Sequence, residues 1–194
     1  MKILLASTIC LHGGVESPLA GLARGLLGRG HEPTVYFYNG GPALCTYLTV
    51  CDAYSGPDLT IGEVIVRGNY DVIHAQMGCF HLGLARAMAL AGYRGPIVGS
   101  CHGWIPEAPI QAPNPSVWTS VSQDASNRLK RATGMESVVV YNGINRDNYV
   151  PAGPYEPSDK PIALWVGRTG DWSKDFPGFA AVASRLVDRG WRRG

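Results

Sequence analysis

Charge is scarce in this 194-residue sequence: Asp, Glu, Lys and Arg make up only 16%, and neither sign collects into a block. With 17 basic against 15 acidic residues the net charge is +2, so there is no electrostatic footprint for a polynucleotide and no nucleic-acid partner is expected. Cysteines occur at 10, 45, 51, 79 and 101, an odd set without a Cys-x-x-Cys pair, which argues against a disulfide framework and a zinc ribbon. A reduced, cytoplasmic protein is the simplest account. Long apolar runs are also missing. The stretch from Leu82 to Ala91 carries Arg86 and is too short to span a bilayer. At the amino end, Ser7, Thr8 and His12 interrupt the apolar opening without a cleavage signal, so it reads as a buried strand rather than a leader.

What is present is core material and turns. Hydrophobic residues reach 45%, and 25 Gly and 14 Pro are spread along the chain. Apolar runs alternate with helical periodicity, the signature of β-α-β units around a parallel sheet, and the expected fold class is α/β, a Rossmann-like parallel sheet with helices on both faces. Strands are expected at Lys2 to Thr8, Glu32 to Tyr38, Asp71 to Ala75, Pro96 to Cys101, Ser116 to Val121 and Ser137 to Tyr141. The first helix has Ser17 as N-cap, Pro18 as first helical residue and Leu19, Leu22, Ala23, Leu26 and Leu27 on one face. Further helices are expected over Cys79 to Ala91 and from Ser122 to about Arg131. Ala43 to Gly62 reads as loops and short helices, and prolines at 106, 109, 113 and 115 enforce an extended loop.

Composition divides the chain into a Rossmann-like domain over 1–150, a linker or hinge over 151–160, and a first β-α unit of an incomplete domain over 161–194, with a strand from Pro161 to Val166 and a helix from Phe176 to Arg189. An isolated β-α unit cannot bury its apolar face, so the sequence is expected to be a fragment or truncated form.

Several positions carry chemistry. Gly13 and Gly14, between the first strand and helix, let the backbone approach a phosphate at a helix start, although such a pair is also an ordinary turn. Glu16 is either a helix-dipole partner or an acceptor for substrate hydroxyls. His102 follows a buried strand and precedes Gly103, at the sheet edge where open α/β folds bind ligands; the alternative is a loop histidine bonded to backbone. His74 reads as a satisfied core histidine and His31 as serving a helix end. Arg168 and Lys174 form either a diphosphate clamp or a solvated turn neutralised by Asp171 and Asp175. Cys79 with His81, and Cys101 with His102, lack closed-site spacing, so no metal is expected. No Gly-x-Ser-x-Gly elbow and no dinucleotide fingerprint occur.

In order, these motifs resemble the front half of a GT-B glycosyltransferase of the family-4 type. Gly13-Gly14-Val15-Glu16 with Arg29-Gly30-His31-Glu32 resembles the family's opening, and Tyr70-Asp71-Val72-Ile73-His74-Ala75 its "D-V-I-H-x-H" strand, with Gln76 in place of the second His. Cys101-His102-Gly103, Val121-Ser122, Val140-Tyr141-Asn142-Gly143-Ile144-Asn145 and Gly167-Arg168 with Lys174 resemble later motifs, with Asp175 in place of a glycine. The resemblance implies retaining, metal-independent transfer of a sugar from a nucleotide-diphosphate sugar, used as substrate without any cofactor, to a sugar, lipid or small-molecule acceptor. It implies that His102 orients the donor sugar, Glu16 contacts hydroxyls, and Gly13, Gly14, Arg168 and Lys174 meet the diphosphate. Lipid acceptors in relatives make peripheral membrane contact an expectation, for which Arg128, Lys130 and Arg131 are the available cations. A non-catalytic acceptor- or nucleotide-binding module is the alternative.

Overall fold

A computed structural model describes residues 1–10, 16–76, 79, 83–103, 116–144, 150, 153–154, 162–167, 170 and 174–190, with side chains for all but Glu16, Ser17 and Cys45. The chain forms two compact units, Met1–Asn148 and Tyr149–Gly194.

Seven parallel strands make the first unit: β1 (Lys2–Ile9), β2 (Glu32–Asn39), β3 (Asp52–Ser55), β4 (Val72–Gln76), β5 (Ile97–Cys101), β6 (Val117–Ser120) and β7 (Val138–Val139). Their spatial order is β3-β2-β1-β4-β5-β6-β7. Parallel neighbours need crossovers, and the helices α1 (Glu16–Leu27), α2 (Leu44–Leu48), α3 (Ile61–Gly68), α4 (Leu84–Leu90) and α5 (Gln123–Thr133) lie between them in sequence. The Rossmann-like α/β sheet is thus present. One face packs Leu4, Ala6, Ile73, Ala75 and Ile97 against residues of α3, α4 and α5 such as Val64, Met88 and Leu129. The other packs Leu5, Val35 and Phe37 against Leu19, Ala20 and Ala23 of α1 and Tyr47 of α2.

Local chemistry explains most boundaries. Ser122 caps α5 by accepting from Ala125 N, and Gly134 closes it in a left-handed conformation (φ 74°). Thr60 and Glu63 form a reciprocal capping box that starts α3. Gly41 follows β2 where the chain touches the end of β1: a Cβ there would stand 1.9 Å from the Cys10 carbonyl oxygen.

Four expectations change. α1 already includes Glu16 and Ser17, so Ser17 lies inside the helix rather than capping it. The helix expected from Cys79 is continuous only from Leu84, because Gly83 (φ 87°) holds a left-handed conformation that a running helix excludes. The region from Ala43 to Gly62 contains the edge strand β3 and the start of α3 besides loops and short helices. In the second unit, 162–166 forms no strand, and Ile162, Leu164 and Val166 are exposed. Strand-type residues have nothing to pair with there, since no other described segment of that unit is extended into a ladder. The helix α6 (Phe176–Asp188) does form.

Candidate functional site

Chain order reverses between β1 and β4: β2 and β3 extend the sheet one way, β4 to β7 the other. Crevices at the carboxyl ends of strands beside such a reversal are where open parallel sheets bind ligands. The residues there are polar. Gln76 pairs in register with Ser100, and Ser100 with Thr119, across β4, β5 and β6. Ser7 ends the row on β1, one position beyond the Ala6–Ala75 pair. Alternation puts these side chains on the face that α1 and α2 cover over β1 to β3 and as far as Val72 of β4. Ser7, Gln76 and Ser100 are nonetheless buried.

His102 leaves the end of β5 into this row, and Gly103 follows it with a left-handed backbone (φ 100°). The imidazole Nε2 lies 3.4 Å from Ser100 Oγ. Thr119 Oγ1 is in turn 3.3 Å from Ser100 Oγ and 3.3 Å from the Gly99 carbonyl oxygen, to either of which it can donate. Burial pushes the His102 pKa down, so the ring is neutral at pH 7. A Ser100 hydroxyl donating to Nε2 keeps the proton on Nδ1, leaving an N–H to offer a ligand oxygen.

His74 departs from its expected role. Its Nε2 is buried without the hydrogen-bond partner among the described residues that a satisfied core histidine would have. Burial, with a smaller contribution from His102, pushes its pKa down to about 4. At His31 the backbone N–H serves the helix end, donating to Leu26 O at 3.0 Å, while the ring Nδ1 is buried without a partner among the described residues.

Gly13, Gly14 and Arg168 lie outside the described residues, and Glu16 is described only as the first residue of α1. Lys174 belongs to the second unit and is exposed; its Cγ is 3.3 Å from where a Cβ of Gly167 would stand, so the lysine stem runs beside the glycine that precedes Arg168. Trp165 Nε1 donates to the Lys174 carbonyl at 3.1 Å, tying the two ends of this turn. The Asp175 carboxylate accepts from Gly178 N at 3.1 Å and caps α6, and no ion pair between it and Lys174 occurs among the described residues; Asp171 lies outside them. The Asp175 φ of 46° is left-handed, which explains how Asp stands where the resembled motif has glycine, because Asp is among the few side chains that tolerate this region. Of the basic cluster on α5, Arg128 pairs with Asp124 at 2.8 Å and Lys130 with Glu136 at 2.6 Å. Two open clefts lie elsewhere among the described residues: about 430 Å³ at the amino ends of the strands beside Lys2 and Glu32, and about 770 Å³ between α3 and α4.

The sequence model of the family described as Glycosyltransferase Family 4 matches residues 12–148. The chain belongs to glycosyltransferase family 4. Two of the solved structures that share the fold of this family-4 chain follow. Anabaena Alr3699/HepE, solved in complex with UDP and glucose, is 22% identical with a TM-score of 0.57, over 78% of this chain and 47% of that one. The lipopolysaccharide outer core galactosyltransferase WaaB, in its apo form, is 12% identical with a TM-score of 0.51, over 74% of this chain and 46% of that one. The family-4 chain therefore spans about half the length of either structure. No curated protein matches it. Among its described residues no helix is long and apolar enough to cross a membrane.

In this family-4 chain the sequence alone marked His102 but missed Ser7, Gln76, Ser100 and Thr119. The available signal was a polar residue near the carboxyl end of each of four apolar runs. Only the pairing of β1 with β4, which are not consecutive, turns those residues into one row.

Proposed function

We propose that the chain supplies the first domain of a retaining glycosyltransferase, residues 1–150, which follows through a hinge over 151–160 into a donor-binding domain that begins at 161. The enzyme moves a sugar from a nucleotide-diphosphate sugar to a hydroxyl of a sugar, lipid or small-molecule acceptor in the cytoplasm, without a metal. Family membership supports the reaction class. The HepE structure, which holds UDP and glucose, supports a nucleotide-sugar donor. Coverage of about half of each solved relative supports a longer working protein, with much of the donor pocket supplied by residues outside this chain.

One observation carries the site reading: a neutral His102, hydrogen-bonded to Ser100 at the sheet's reversal point, beside a row of buried polar groups. A neutral imidazole N–H there orients a donor-sugar oxygen without repelling a departing cationic sugar. In the second unit, Lys174 is exposed without an ion pair among the described residues, and with Arg168 it stabilises the charge that grows on the leaving diphosphate. The Gly13-Gly14 turn approaches the diphosphate through backbone N–H groups, and Glu16 accepts from ligand hydroxyls. Membrane contact rests on Arg131 alone, since Arg128 and Lys130 are ion-paired.

The test is turnover of UDP- and GDP-sugars by the longest protein that carries these residues. His102→Ala and Lys174→Ala are each expected to lower kcat/KM by about a hundredfold, the loss typical of a transition-state donor. Unchanged turnover in both variants overturns the site reading. Absence of turnover with every donor, together with retained sugar or nucleotide binding, favours the non-catalytic module.

A further inference from the structure

Three polar atoms beside the β1–β4 reversal have no hydrogen-bond partner among the described residues: Ser7 Oγ, Gln76 Oε1 and His74 Nε2. Ser7 is 1% exposed and Gln76 7%, so bulk water does not serve them. Buried polar atoms in folded proteins are nearly always paired, and several unpaired together mark the place of a ligand group or an ordered water. Strand pairing brings them together. Ser7 and Gln76 follow the Ala6–Ala75 pair on neighbouring strands, roughly 4.8 Å apart in the ladder direction. His74 precedes Gln76 by two residues and shares its face of the sheet. Beyond Gln76 stands Ser100, already engaged with His102.

The chemistry of the trio selects its guest. None of the three is charged at neutral pH, and none is joined by a carboxylate, so a metal ion finds no ligand set among the described residues. An anion would need an excess of donors or a cation, and the amide oxygen of Gln76 would oppose it. An alcohol suits the site. Its O–H donates to Gln76 Oε1, and its oxygen accepts from the Ser7 hydroxyl or from His74. We propose that Ser7, Gln76 and His74 form a neutral subsite for one hydroxyl of a sugar or polyol, with Gln76 as the residue that sets which hydroxyl is accepted. For the word substrate this rests on the transferase reading above; the binding chemistry stands without it. A glutamine differs from the histidine of the resembled motif in offering an acceptor that cannot be protonated.

The experiment is a titration of the 194-residue chain with D-glucose, D-galactose, D-mannose, myo-inositol and glycerol, followed by NMR at the Gln76 side-chain amide and the Ser7 backbone amide. A second arm repeats it with UDP-glucose and GDP-mannose. At least one probe is expected to shift both signals saturably, and Gln76→Leu is expected to weaken its binding at least tenfold. Ser7→Ala, a smaller change, keeps the test available should Gln76→Leu fail to fold, and is expected to weaken the same probe severalfold. A response to free sugars or polyols assigns the hydroxyl to an acceptor; a response only to nucleotide sugars assigns it to a donor. Signals unmoved by every probe, with a long-lived water cross-peak at Gln76, overturn the proposal in favour of a structural water. The two readings fail separately. Loss of the subsite leaves nucleotide-sugar turnover intact with unchanged KM in Gln76→Leu, whereas loss of the transferase reading leaves probe binding at Gln76 without turnover.

Discussion

Thr119 Oγ1 stands 3.3 Å from Ser100 Oγ on the neighbouring strand, and the same Ser100 oxygen is the hydrogen-bond partner of His102 Nε2. Ser100 therefore positions His102, and Thr119 positions Ser100. Removing Ser100 leaves the ring free to turn and free to exchange tautomers, while Thr119 keeps the Gly99 carbonyl as its acceptor. Ser100→Ala is expected to lower kcat by about fivefold, the equivalent of one hydrogen bond of ~1 kcal/mol, with little change in KM. Thr119→Val is expected to have a smaller effect in the same direction. The measurement is a kcat–pH profile, in which both variants shift the limb that reports His102; identical profiles would show that the ring is held by packing alone.

His74 predicts acid sensitivity of the fold. Its pKa is held down to about 4, chiefly by burial and secondarily by His102, against about 6.5 in the unfolded chain. Between these values the unfolded state binds the extra proton, so stability rises with pH. The contribution is complete above pH 6.5, falls as the pH drops towards 4, and changes no further below it. Its full size is about 3 kcal/mol. Urea midpoints measured at pH 7.5 and pH 4 are expected to converge in His74→Gln relative to the parent. An equal loss in both proteins would assign the acid sensitivity to other groups.

Most of this fold was legible because its strands are short apolar runs in one-to-one alternation with helices. β1, β2, β4, β5 and β6 came from β-branched and aromatic residues bounded by turns, and α5 from the cap Ser122. β3 was not, because Asp52-Ala53-Tyr54-Ser55 is an edge strand with only Ala53 and Ser55 buried. α3 was missed although Thr60 and Glu63 spell its capping box, since Gly62 and Gly68 dilute a helix pattern. The opposite error at 162–166 has the same origin: local preference names a strand, but a ladder partner decides whether it exists. His102 was visible at a strand end, whereas Gln76 and Ser7 acquire meaning only through a pairing between strands separated by two others in the sequence.

Close approach fixes Gly41. A methyl group there would meet the carbonyl of Cys10 at 1.9 Å, and a backbone carbonyl at the end of β1 cannot swing aside like a flexible side chain. Gly41→Ala is expected to destabilise the first unit by about 2–3 kcal/mol through backbone displacement. Because the strain falls at the carboxyl edge, probe binding at Ser7 should weaken as well. Thermal unfolding checks the first effect. A melting temperature equal to the parent's would mean that the two segments separate freely.

Asp175 joins the helix start to the cation before it. The residue holds a left-handed backbone with φ 46°, and its side chain accepts from Gly178 N. These two features act in opposite directions. Replacing Asp by Gly relieves roughly 1–2 kcal/mol of backbone strain and removes a cap worth about 1 kcal/mol, so Asp175→Gly should be close to neutral. Asp175→Ala keeps the strain and loses the cap, and is expected to cost about 1 kcal/mol. Asp175→Asn retains both backbone tolerance and cap and should resemble the parent. Hydrogen exchange at the Gly178 and Phe179 amides measures the order Asn, Gly, Ala. If Ala exchanged as slowly as Asn, the cap would contribute nothing. Because Lys174 precedes Asp175 and its stem runs beside Gly167, fraying in Asp175→Ala should also loosen the lysine. Diphosphate affinity in the longest protein should then fall in Asp175→Ala but not in Asp175→Asn, which separates the helix start's effect on the clamp from the loss of a negative charge beside it.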